Sequence, residues 1–597
     1  MHGDQRAIHA LNRFTFGPRP GDIDAARAMG LDNWFEAQLH PERIDQSTLN
    51  TRLAQFPAMQ SNVHDLLFRI PSNATLRQAI DGHAPVPSGS VLHAIYSNQI
   101  YRMQKKPADP AQPPPPAMDN AAVAHIVALA PQQRIAKLAS LQPAEFDSFV
   151  RALHPPQRQA LIAGLTPEQR EVAGSLENPE RVVTEELLAQ RLTRDIVSEA
   201  QLQEVMTDFW FNHFNIYIRK DEQMPYYLAA YERDSIRPLA LGKFEDLLEA
   251  VAHSPAMMLY LDNAQSMGPD SLAAHPPTKA SLHPAAAPRK APGGLNENYA
   301  RELMELHTLG VNGGYTQADV IQVARVLTGW TVDKPQFGGG FLFTPNRHEP
   351  GEKIVLGEKI PEGGEAEGLL LLHRLAMQPA TARFLAHKLA VRFVSDNPPA
   401  TLEQRLAKTY LSTDGDISAV LRTLFHSHEF WSAGVYRAKV KTPLEFVVSA
   451  VRASNAQVDN FQPLTNALRE MGMPLYGSMP PTGYKWDAAD WVSTAALVDR
   501  MNFALALAAN RLPGITTAWQ PVNQSALPPS QPEAEEARLE RTLLTGGASV
   551  ATRSATLDQF HNRAAQNPAN AKLLNTQERQ NRLFAGLLLG SPEFQRR

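Results

Sequence analysis

The spacing of hydrophobic residues along the chain is helical almost throughout. Apolar side chains recur at intervals of three and four residues, which places them on one face of a helix with about 3.6 residues per turn. Such stripes include Leu187, Leu188, Leu192 and Ile196; Leu385, Leu389 and Phe393; and Leu444, Val447, Val448 and Val451. The pattern predicts a mainly α protein with a multi-helix globular body. We find no repeat at a fixed period, so a solenoid is not expected.

One stretch alternates instead of following helical spacing. After Trp330, the sequence TVDKPQFGGGFLFTPNRHEPGEKIVLGEKI places Phe341 and Phe343 two residues apart, and Gly-rich and Pro-Gly turns flank the alternating residues. Alternation with a period of two is typical of a strand. We therefore predict a small β-hairpin excursion near residues 331–360, with His348 presented on one of its loops.

Three stretches lack periodicity and are predicted to be loops or linkers: 105–119 with its run of prolines, 264–294, and 513–533. We expect a helical domain over residues 1–508 that carries the first two stretches as Pro-rich insertions. A linker and a C-terminal helical segment, 509–597, should follow and pack on this body. The insertion at 264–294 is predicted to be mobile because it has few large apolar side chains to bury.

Composition excludes several classes of function. The chain has 597 residues, of which 43% are hydrophobic, so it can bury a large core. The net charge of −4 and the scattered Lys and Arg residues give no basic face, and no nucleic-acid partner is expected. No window approaches the roughly 18 to 20 uninterrupted apolar residues of a membrane-spanning helix, so no membrane span is predicted. The N-terminus, MHGDQRAIHALNRFTFG, has no signal-peptide pattern.

The chain contains no cysteine, which excludes disulfides, thiolate nucleophiles and Cys-based metal sites. Any metal must therefore be held by His, Asp, Glu or Asn. The sequence also lacks a G-x-S-x-G elbow and a phosphate-binding loop, so neither serine hydrolase chemistry nor nucleotide binding is indicated.

Polar residues are concentrated in the stretch LNENYARELMELHTLGVNGGYTQADVIQVARVLTGW, residues 295–330. Its periodicity predicts a helical hairpin, in which Gly310 ends the first helix and Thr316 with Asp319 forms a capping box at the start of the second. Caps and turns thus explain much of its composition.

Two acidic residues of the first helix remain unexplained. Glu302 and Glu305 are neighbours on the helix surface, and Arg301 is spaced to pair with Glu305. The motif is neither HExxH nor the Glu-x-x-His of di-iron bundles, because His307 points away from both carboxylates. The structural interpretation pairs Glu305 with Arg301 and bonds Glu302 to a neighbouring loop. The functional interpretation gives the two acids a catalytic role.

Two further clusters carry candidate chemistry. In VMTDFWFNHFNIYIRKDE, His213 lies on an apolar helical stripe, where a histidine is usually a core residue, but Asp208 and Asn212 flank it. In MMLYLDNAQS, an apolar run delivers Asp262 and Asn263 to the edge of the Pro-rich insertion. The structural interpretation of the latter pair is a turn or a helix cap.

These motifs together resemble a known family. The segments DFWFNHFNI, NENYARELMELHTLGVNGGYTQADVIQVARVLTGW, RHEPGEKIVLG, PATARFLAHKLAVRFVSDNPP and GDISAVLRTLFHSHEFW occur in order between Leu11 and Leu507. They resemble the bacterial family catalogued as domain of unknown function eighteen hundred. The resemblance implies a bacterial protein, periplasmic or secreted, and often encoded beside an uncharacterised exported family, numbered fifteen hundred and one, that is a candidate partner. It carries no set of catalytic residues. The Pro-rich insertions depart from the family's pattern, and so does an N-terminus without a leader pattern, for which removal of a leader is the alternative interpretation.

The first functional hypothesis is a hydrolase-like enzyme with one carboxylate and histidine pocket. The candidate catalytic residues are Glu302, Glu305 and His213; the candidate metal ligands are Asp262, His348, Glu302 and His213; and the candidate substrate-binding residues are Asn212, Asn263, Asn298, Arg301 and Trp330. Such oxygen and nitrogen ligands suit a divalent cation such as Mg²⁺, Mn²⁺, Ca²⁺ or Zn²⁺, although paired carboxylates can also work without a metal. The sequence leaves two classes of substrate open, a polymer and a small molecule.

The second hypothesis is a non-catalytic cell-envelope protein that binds a polymer or a protein partner. Its candidate sugar-stacking residues are Trp210, Trp330, Tyr484, Trp486 and Trp491, although aromatic residues are more often core anchors. The segment PPTGYKWDAADW is rich in aromatic and acidic residues and is a candidate for the wall of a pocket.

Overall fold

A computed structural model describes residues 1, 3–105, 117–275, 294–519, 532–566 and 577–597. Much of each predicted loop therefore lies outside the described residues, namely 106–116, 276–293 and 520–531.

The protein is mainly α, as the hydrophobic spacing predicts. The helices of the first half are Asp4–Phe14, Asp22–Met29, Leu31–Gln38, Ser47–Leu53, Val63–Arg69, Asn73–Ile80, Ser90–Gln104, Asn120–Ala128, Pro131–Ser140, Pro143–Ala152, Pro155–Ile162, Pro167–Glu177, Pro179–Val197, Gln201–His213, Met224–Ala230, Phe244–Ala252 and Pro255–Tyr260. Those of the second half are Glu297–Glu302, Gln317–Val326, Glu365–Ala376, Pro379–Phe393, Ala400–Ser412, Ile417–Phe425, Pro443–Ala453, Gln462–Glu470, Ala488–Trp491, Thr494–Ala508, Pro532–Leu543, Val550–Gln566 and Gln577–Leu589. Within the described ranges, none of the helices has the length and apolar character needed to cross a membrane.

The β structure consists of short antiparallel pairs. Strand Trp330–Val332 pairs with Phe341–Phe343, and Lys353–Val355 pairs with Glu358–Ile360, so the predicted excursion is confirmed as two successive hairpins. A third pair joins residues 457–458 to residues 515–516 and was not predicted, because two-residue strands leave no alternation to detect.

One large hydrophobic core joins most of the chain. It contains side chains from the N-terminal helices, such as Phe14, and from the C-terminal helices, such as Phe584 and Leu588. Helix Gln577–Leu589 packs along helix Thr494–Ala508, so this C-terminal helix lies on the body.

A second, smaller core lies between residues 94 and 176, and it corrects the expectation that the chain has no repeat. Successive helices there begin exactly twelve residues apart, at Pro131, Pro143, Pro155, Pro167 and Pro179. A proline suits the first turn of a helix and forces the preceding residue out of the helical conformation, so each unit starts a new helix. The first four of these helices share a Leu-x-Pro tripeptide, whereas Pro179 follows Glu177 and Asn178. The unit is shorter than those of common repeat proteins.

Buried ion pairs join the central helices of the main core. The guanidinium of Arg191 lies 3.1 Å from Asp195, 3.0 Å from Asp208 and 2.8 Å from Glu232. Burial by itself would raise the pKa of Glu232, but Arg191 and Arg237 lower it to about 2. Because a buried charge without a partner costs several kcal/mol, this network fixes how these helices meet.

The insertion predicted to be mobile is partly packed. Gly268 N donates to Arg347 O at 2.9 Å, and Ala273 N donates to Asn346 O at 2.7 Å. A side chain at Gly268 would lie 2.7 Å from the backbone of Glu349, so this close approach requires glycine. Residues 264–275 are therefore held against the hairpin region, which corrects that part of the prediction, and residues 276–293 lie outside the described chain.

The hairpin region is seated on the helical body through Trp330. Its side chain is fully buried and stacks on His253 at a centroid distance of 4.6 Å. Helix Glu365–Ala376 passes so close that a Cβ atom at Gly368 would lie 2.1 Å from the indole ring.

We expect the substitution Gly368→Ala to lower the free energy of unfolding by about 1–3 kcal/mol, because overpacking outweighs the gain of about 1 kcal/mol in helix propensity. The matched control is Gly340→Ala in the same region, where an added Cβ meets nothing within 4 Å. Urea denaturation of both variants measures the difference. Equal stability of the two variants would contradict the packing described for Trp330.

Candidate functional site

His213 ends the helix Gln201–His213 and is buried. Its Nε2 atom lies 3.0 Å from the backbone oxygen of His307, and its Nδ1 atom lies 2.7 Å from Nζ of Lys388. Burial, and then the charge of Lys388, lower the pKa of His213 well below its ordinary value. The ring is therefore neutral at physiological pH, and its partners are a carbonyl and a lysine rather than an acid.

The predicted helical hairpin is present, with Thr316 capping its second helix through the amide of Asp319. The first helix, Glu297–Glu302, continues as a π-helix over Leu303–Thr308, which the periodicity does not predict. A π turn is wider than an α turn and shifts the faces that follow it.

The shift separates Glu305 from its predicted partner. Glu305 accepts a hydrogen bond from Tyr315 at 3.1 Å, whereas Arg301 lies 3.9 Å from Glu297 and donates to Gln317 at 2.7 Å. The expected pair of Arg301 with Glu305 is thus wrong.

Glu302 and Asn298 lie on the same helix but differ in exposure. Glu302 is half-buried, and burial together with the neighbouring Glu305 raises its pKa. Asn298 is exposed, and it contributes its backbone N–H to the cap formed by Asn296. No substrate contact can be assigned to either residue from these positions.

Asp262 and Asn263 have separate structural roles. Asp262 is exposed, adopts a left-handed backbone conformation with φ of 60°, and pairs with Lys220 at 2.9 Å. Asn263 is buried and donates to the backbone oxygen of Leu327 at 3.2 Å. Both fit the turn interpretation.

His348 lies on the loop between strands Phe341–Phe343 and Lys353–Val355, as predicted, but its side chain is buried and not presented to solvent. Its Nδ1 atom lies 2.8 Å from Thr328 O and its Nε2 atom lies 3.0 Å from Glu367, which also pairs with Lys353 at 2.7 Å. Burial by itself would raise the pKa of Glu367, but hydrogen bonds from His348 and Lys353 lower it to about 2.

The predicted metal ligands do not form one site. Within the described chain, which includes Asp262, His348, Glu302 and His213, no group of three or more His, Asp or Glu side chains is placed to hold a metal ion. Asp262, His348 and His213 each have a separate local partner. Trp330, predicted to bind substrate, is fully buried and anchors the hairpin region.

A polar cleft of about 760 Å³ opens between the helix Pro379–Phe393, which we call the cleft helix, and the segment of residues 474–491, which we call the cleft loop. Its lining residues are Asn212, His387, Lys388, Val391, Asp396, Asn397, Thr482, Tyr484, Lys485, Trp486, Asp487, Ala489 and Asp490. The segment PPTGYKWDAADW thus walls a pocket, as its composition predicts. Its volume is within the range of small-molecule sites.

Two asparagines hold the cleft loop in place. Asn212 donates to Tyr484 O and accepts from Tyr484 N, both at 2.7 Å, while Asn215 donates to Ser478 O at 3.0 Å. Gly483 has φ of +70°, and a Cβ atom there would lie 2.3 Å from the backbone oxygen of Asn212. Asn212, a predicted substrate-binding residue, therefore lines the cleft but uses its amide to position the wall.

Lys388 is the cleft residue with the most unusual surroundings. It is half-buried, and among the described residues the hydrogen-bond partner of its Nζ atom is His213 rather than a carboxylate. Burial lowers the pKa of Lys388 to about 7. A large fraction of the side chain is therefore a neutral amine at physiological pH.

The carboxylates of the cleft differ in whether they are paired. Asp396 forms an ion pair with Lys439 and accepts from Ala488 N at 3.0 Å, and Asp490 lies 3.4 Å from Lys485. Asp487 makes no cap hydrogen bond to the short helix that follows it, and it has no ion-pair partner among the described residues. Asp487 is thus the cleft acid that is free to meet a ligand.

Sequence reasoning missed Lys388, although a signal was present. The apolar stripe of the cleft helix contains Leu385, Leu389 and Phe393, and Lys388 falls on that stripe three residues after Leu385. Arg392 lies on it too and is fully buried. A lysine on an apolar face must be paired or neutral, and this inference would have singled it out.

The chain matches the family model described as "Protein of unknown function (DUF1800)" over residues 9–596. Because the match spans nearly the whole chain, this mainly α protein belongs to that family, and the resemblance found in its motifs is confirmed. The match also covers the C-terminal helices beyond Leu507. Neither a curated protein nor a solved structure matches the chain.

We expect Asn212→Ala to loosen the cleft loop, because it leaves two backbone groups of Tyr484 without partners. The free energy of unfolding should fall by about 1–3 kcal/mol, and trypsin should cleave faster after the exposed Lys485. The control is Asn298→Ala at an exposed position. Mass spectrometry of the digests measures the cleavage rate after Lys485 in each variant. An unchanged rate in Asn212→Ala would contradict the anchoring role.

We expect Lys388→Met to raise the free energy of unfolding at pH 7, because a half-buried amine beside the neutral rings of His213 and His307 opposes folding. The folded pKa near 7 is below the unfolded value of about 10.4, so the parent gains stability as the pH rises between these values. The advantage of the variant should therefore be greatest at or below pH 7 and shrink towards pH 10.

Chemical denaturation at several pH values measures this difference. The control is Lys408→Met, which changes an exposed lysine of the neighbouring helix Ala400–Ser412. A gain that is the same at every pH would show that Lys388 has an ordinary pKa.

Proposed function

We propose that the protein is an enzyme whose chemistry is carried by the amine of Lys388 in the cleft. The observation that supports this is the contact of 2.7 Å between Nζ and His213 Nδ1, made by a lysine that also lines a cleft of about 760 Å³. A lysine kept for structure is normally paired with a carboxylate, as Lys353 is with Glu367. A lysine that is desolvated and faces a ligand-sized space is suited to proton transfer.

In this proposal the reaction is hydrolase-like. The neutral amine of Lys388 takes a proton from a water molecule or a substrate hydroxyl, and the resulting nucleophile attacks the substrate. The protonated Lys388 then returns this proton to the leaving group, and Asp487, the unpaired acid of the same cleft, is placed to accept hydrogen bonds from the substrate. His213 keeps its predicted place in the site, but it positions the lysine and does not itself exchange protons.

Glu302 and Glu305 are no longer part of this proposal as catalytic residues, because Glu305 bonds to Tyr315 and neither carboxylate lines the cleft. A divalent cation is not part of it either, since the predicted ligands do not come together among the described residues. Residence in the periplasm or outside the cell rests on the family resemblance.

A second candidate function is the binding of a polymer or of a protein from the neighbouring exported family. Asp262 pairs with Lys220, and His348 pairs with Glu367. These local partners favour a binding role over an enzyme with the predicted pocket. The aromatic residues offered for sugar stacking argue against it, because Trp210, Trp330, Trp486 and Trp491 are buried and only Tyr484 of the five is half-buried. The enzyme is therefore the better-supported function.

The proposal predicts an abnormal titration of Lys388. Acetic anhydride labels neutral amines, so labelling of the full chain across a pH series, followed by peptide mass mapping, gives the pKa of each lysine. We expect half-maximal labelling of Lys388 near pH 7, well below the value of about 10.4 for an unperturbed lysine. Half-maximal labelling of Lys388 near that unperturbed value would refute the proposal.

Hydrolysis provides the functional test. Nitrophenyl esters, phosphates and glycosides are offered to the parent, to Lys388→Met and to the control Lys408→Met. We expect at least one class to be hydrolysed and its turnover to fall by about 10²-fold or more in Lys388→Met, with little change in the control. Hydrolysis that persists at the parental rate in Lys388→Met would assign it to other residues.

A further inference from the structure

The hydrogen bonds of His213 determine where the protons of Lys388 lie. A backbone carbonyl only accepts, so Nε2 of His213 must donate its proton to His307 O at 3.0 Å. In a neutral imidazole, Nδ1 is then an acceptor. Lys388 therefore donates one N–H to Nδ1 at 2.7 Å, and the lone pair of its neutral form is not consumed by this contact.

A second lysine shows that burial alone does not make such a site. Burial also lowers the pKa of Lys441 to about 7. Its Nζ donates to Ser449 at 3.0 Å and lies 3.9 Å from the centre of the Phe594 ring. The cavity that Lys441 lines has a volume of only about 20 Å³, which holds no more than a water molecule.

Lys388 differs from Lys441 in the space before it. It lines the polar cleft of about 760 Å³, where Asp487 is unpaired and Asn397 is exposed. A lysine whose amine is held by a hydrogen bond and whose side chain lines a ligand-sized space is arranged as a nucleophile.

We propose that Lys388 forms a covalent imine with ligands that carry an aldehyde or ketone group, so that the cleft binds carbonyl compounds. The amine nitrogen bonds to the carbonyl carbon, the C–O bond breaks, and the oxygen leaves as water with both protons of the amine. No oxidant or reductant is needed. The inference rests on the same reactive amine as the proposed function and adds the chemical class of its ligand.

The test is reductive trapping of the full chain with benzaldehyde and cyanoborohydride at pH 7, followed by peptide mass mapping. We expect Lys388 to be modified at least about tenfold faster than Lys408, because burial lowers the pKa of Lys388 to about 7 and leaves much of this amine neutral. Lys441 should remain unmodified despite its similar pKa, since its cavity cannot admit the aldehyde. The rate at Lys388 should saturate with benzaldehyde concentration, as binding in the cleft requires.

A variant separates a local effect from a general loss of structure. Lys388→Arg retains a long side chain with N–H donors but has no amine that can form an imine, so the saturable modification should disappear while Lys408 reacts as before. Persistence of a saturable adduct on another residue of this variant would refute the assignment to Lys388.

The remaining outcomes distinguish this inference from the proposed function. If acetic anhydride reports a pKa near 7 for Lys388 but benzaldehyde gives no adduct there, the imine is refuted and the proposed function stands. If Lys388 and Lys441 react equally, the adduct reflects burial and not a carbonyl-binding cleft, which also refutes the inference. If Lys388 titrates near pH 10 and forms no adduct, both proposals are wrong.

Discussion

The structure depends on the rule that a buried charge must be compensated where it lies. Arg191 meets three carboxylates within 3.1 Å, and these contacts join helices Pro179–Val197 and Gln201–His213 to the segment that contains Glu232. The same rule accounts for the group of His348, Glu367 and Lys353 beneath the hairpin region. Charged side chains that look catalytic in the sequence therefore form the ion pairs that connect elements of the helical body.

Lys388 satisfies the same rule in a different way, and this difference makes it a functional candidate. With a neutral histidine as its hydrogen-bond partner, the side chain reduces the cost of burial by losing its proton. A group that opposes folding is commonly retained where function needs it. This makes an amine at the edge of a cleft a stronger functional candidate than the half-buried carboxylates Glu302 and Glu305.

The cleft itself is made by contacts between distant parts of the chain. Asn212 and Asn215, at the end of one helix, hold the cleft loop more than 260 residues further along. Gly483 permits this approach because a side chain there would collide with Asn212. Residues that resemble ligands in the sequence thus determine the shape of the wall, and the wall presents Asp487 to the cleft that Lys388 lines.

The sequence by itself determined the helical body, the hairpin region and the capping box at Thr316, because these depend on spacings of two to four residues and on local hydrogen bonds. It also placed His213 on an apolar helical stripe, where a buried histidine needs a hydrogen-bond partner. Only the tertiary structure decided which partner, since Lys388 lies 175 residues away from it in the chain. The π turn after Glu302 likewise escaped detection and separated Glu305 from Arg301. Periodicity encodes which face of an element is buried, whereas packing between elements selects the neighbour that each buried polar group meets.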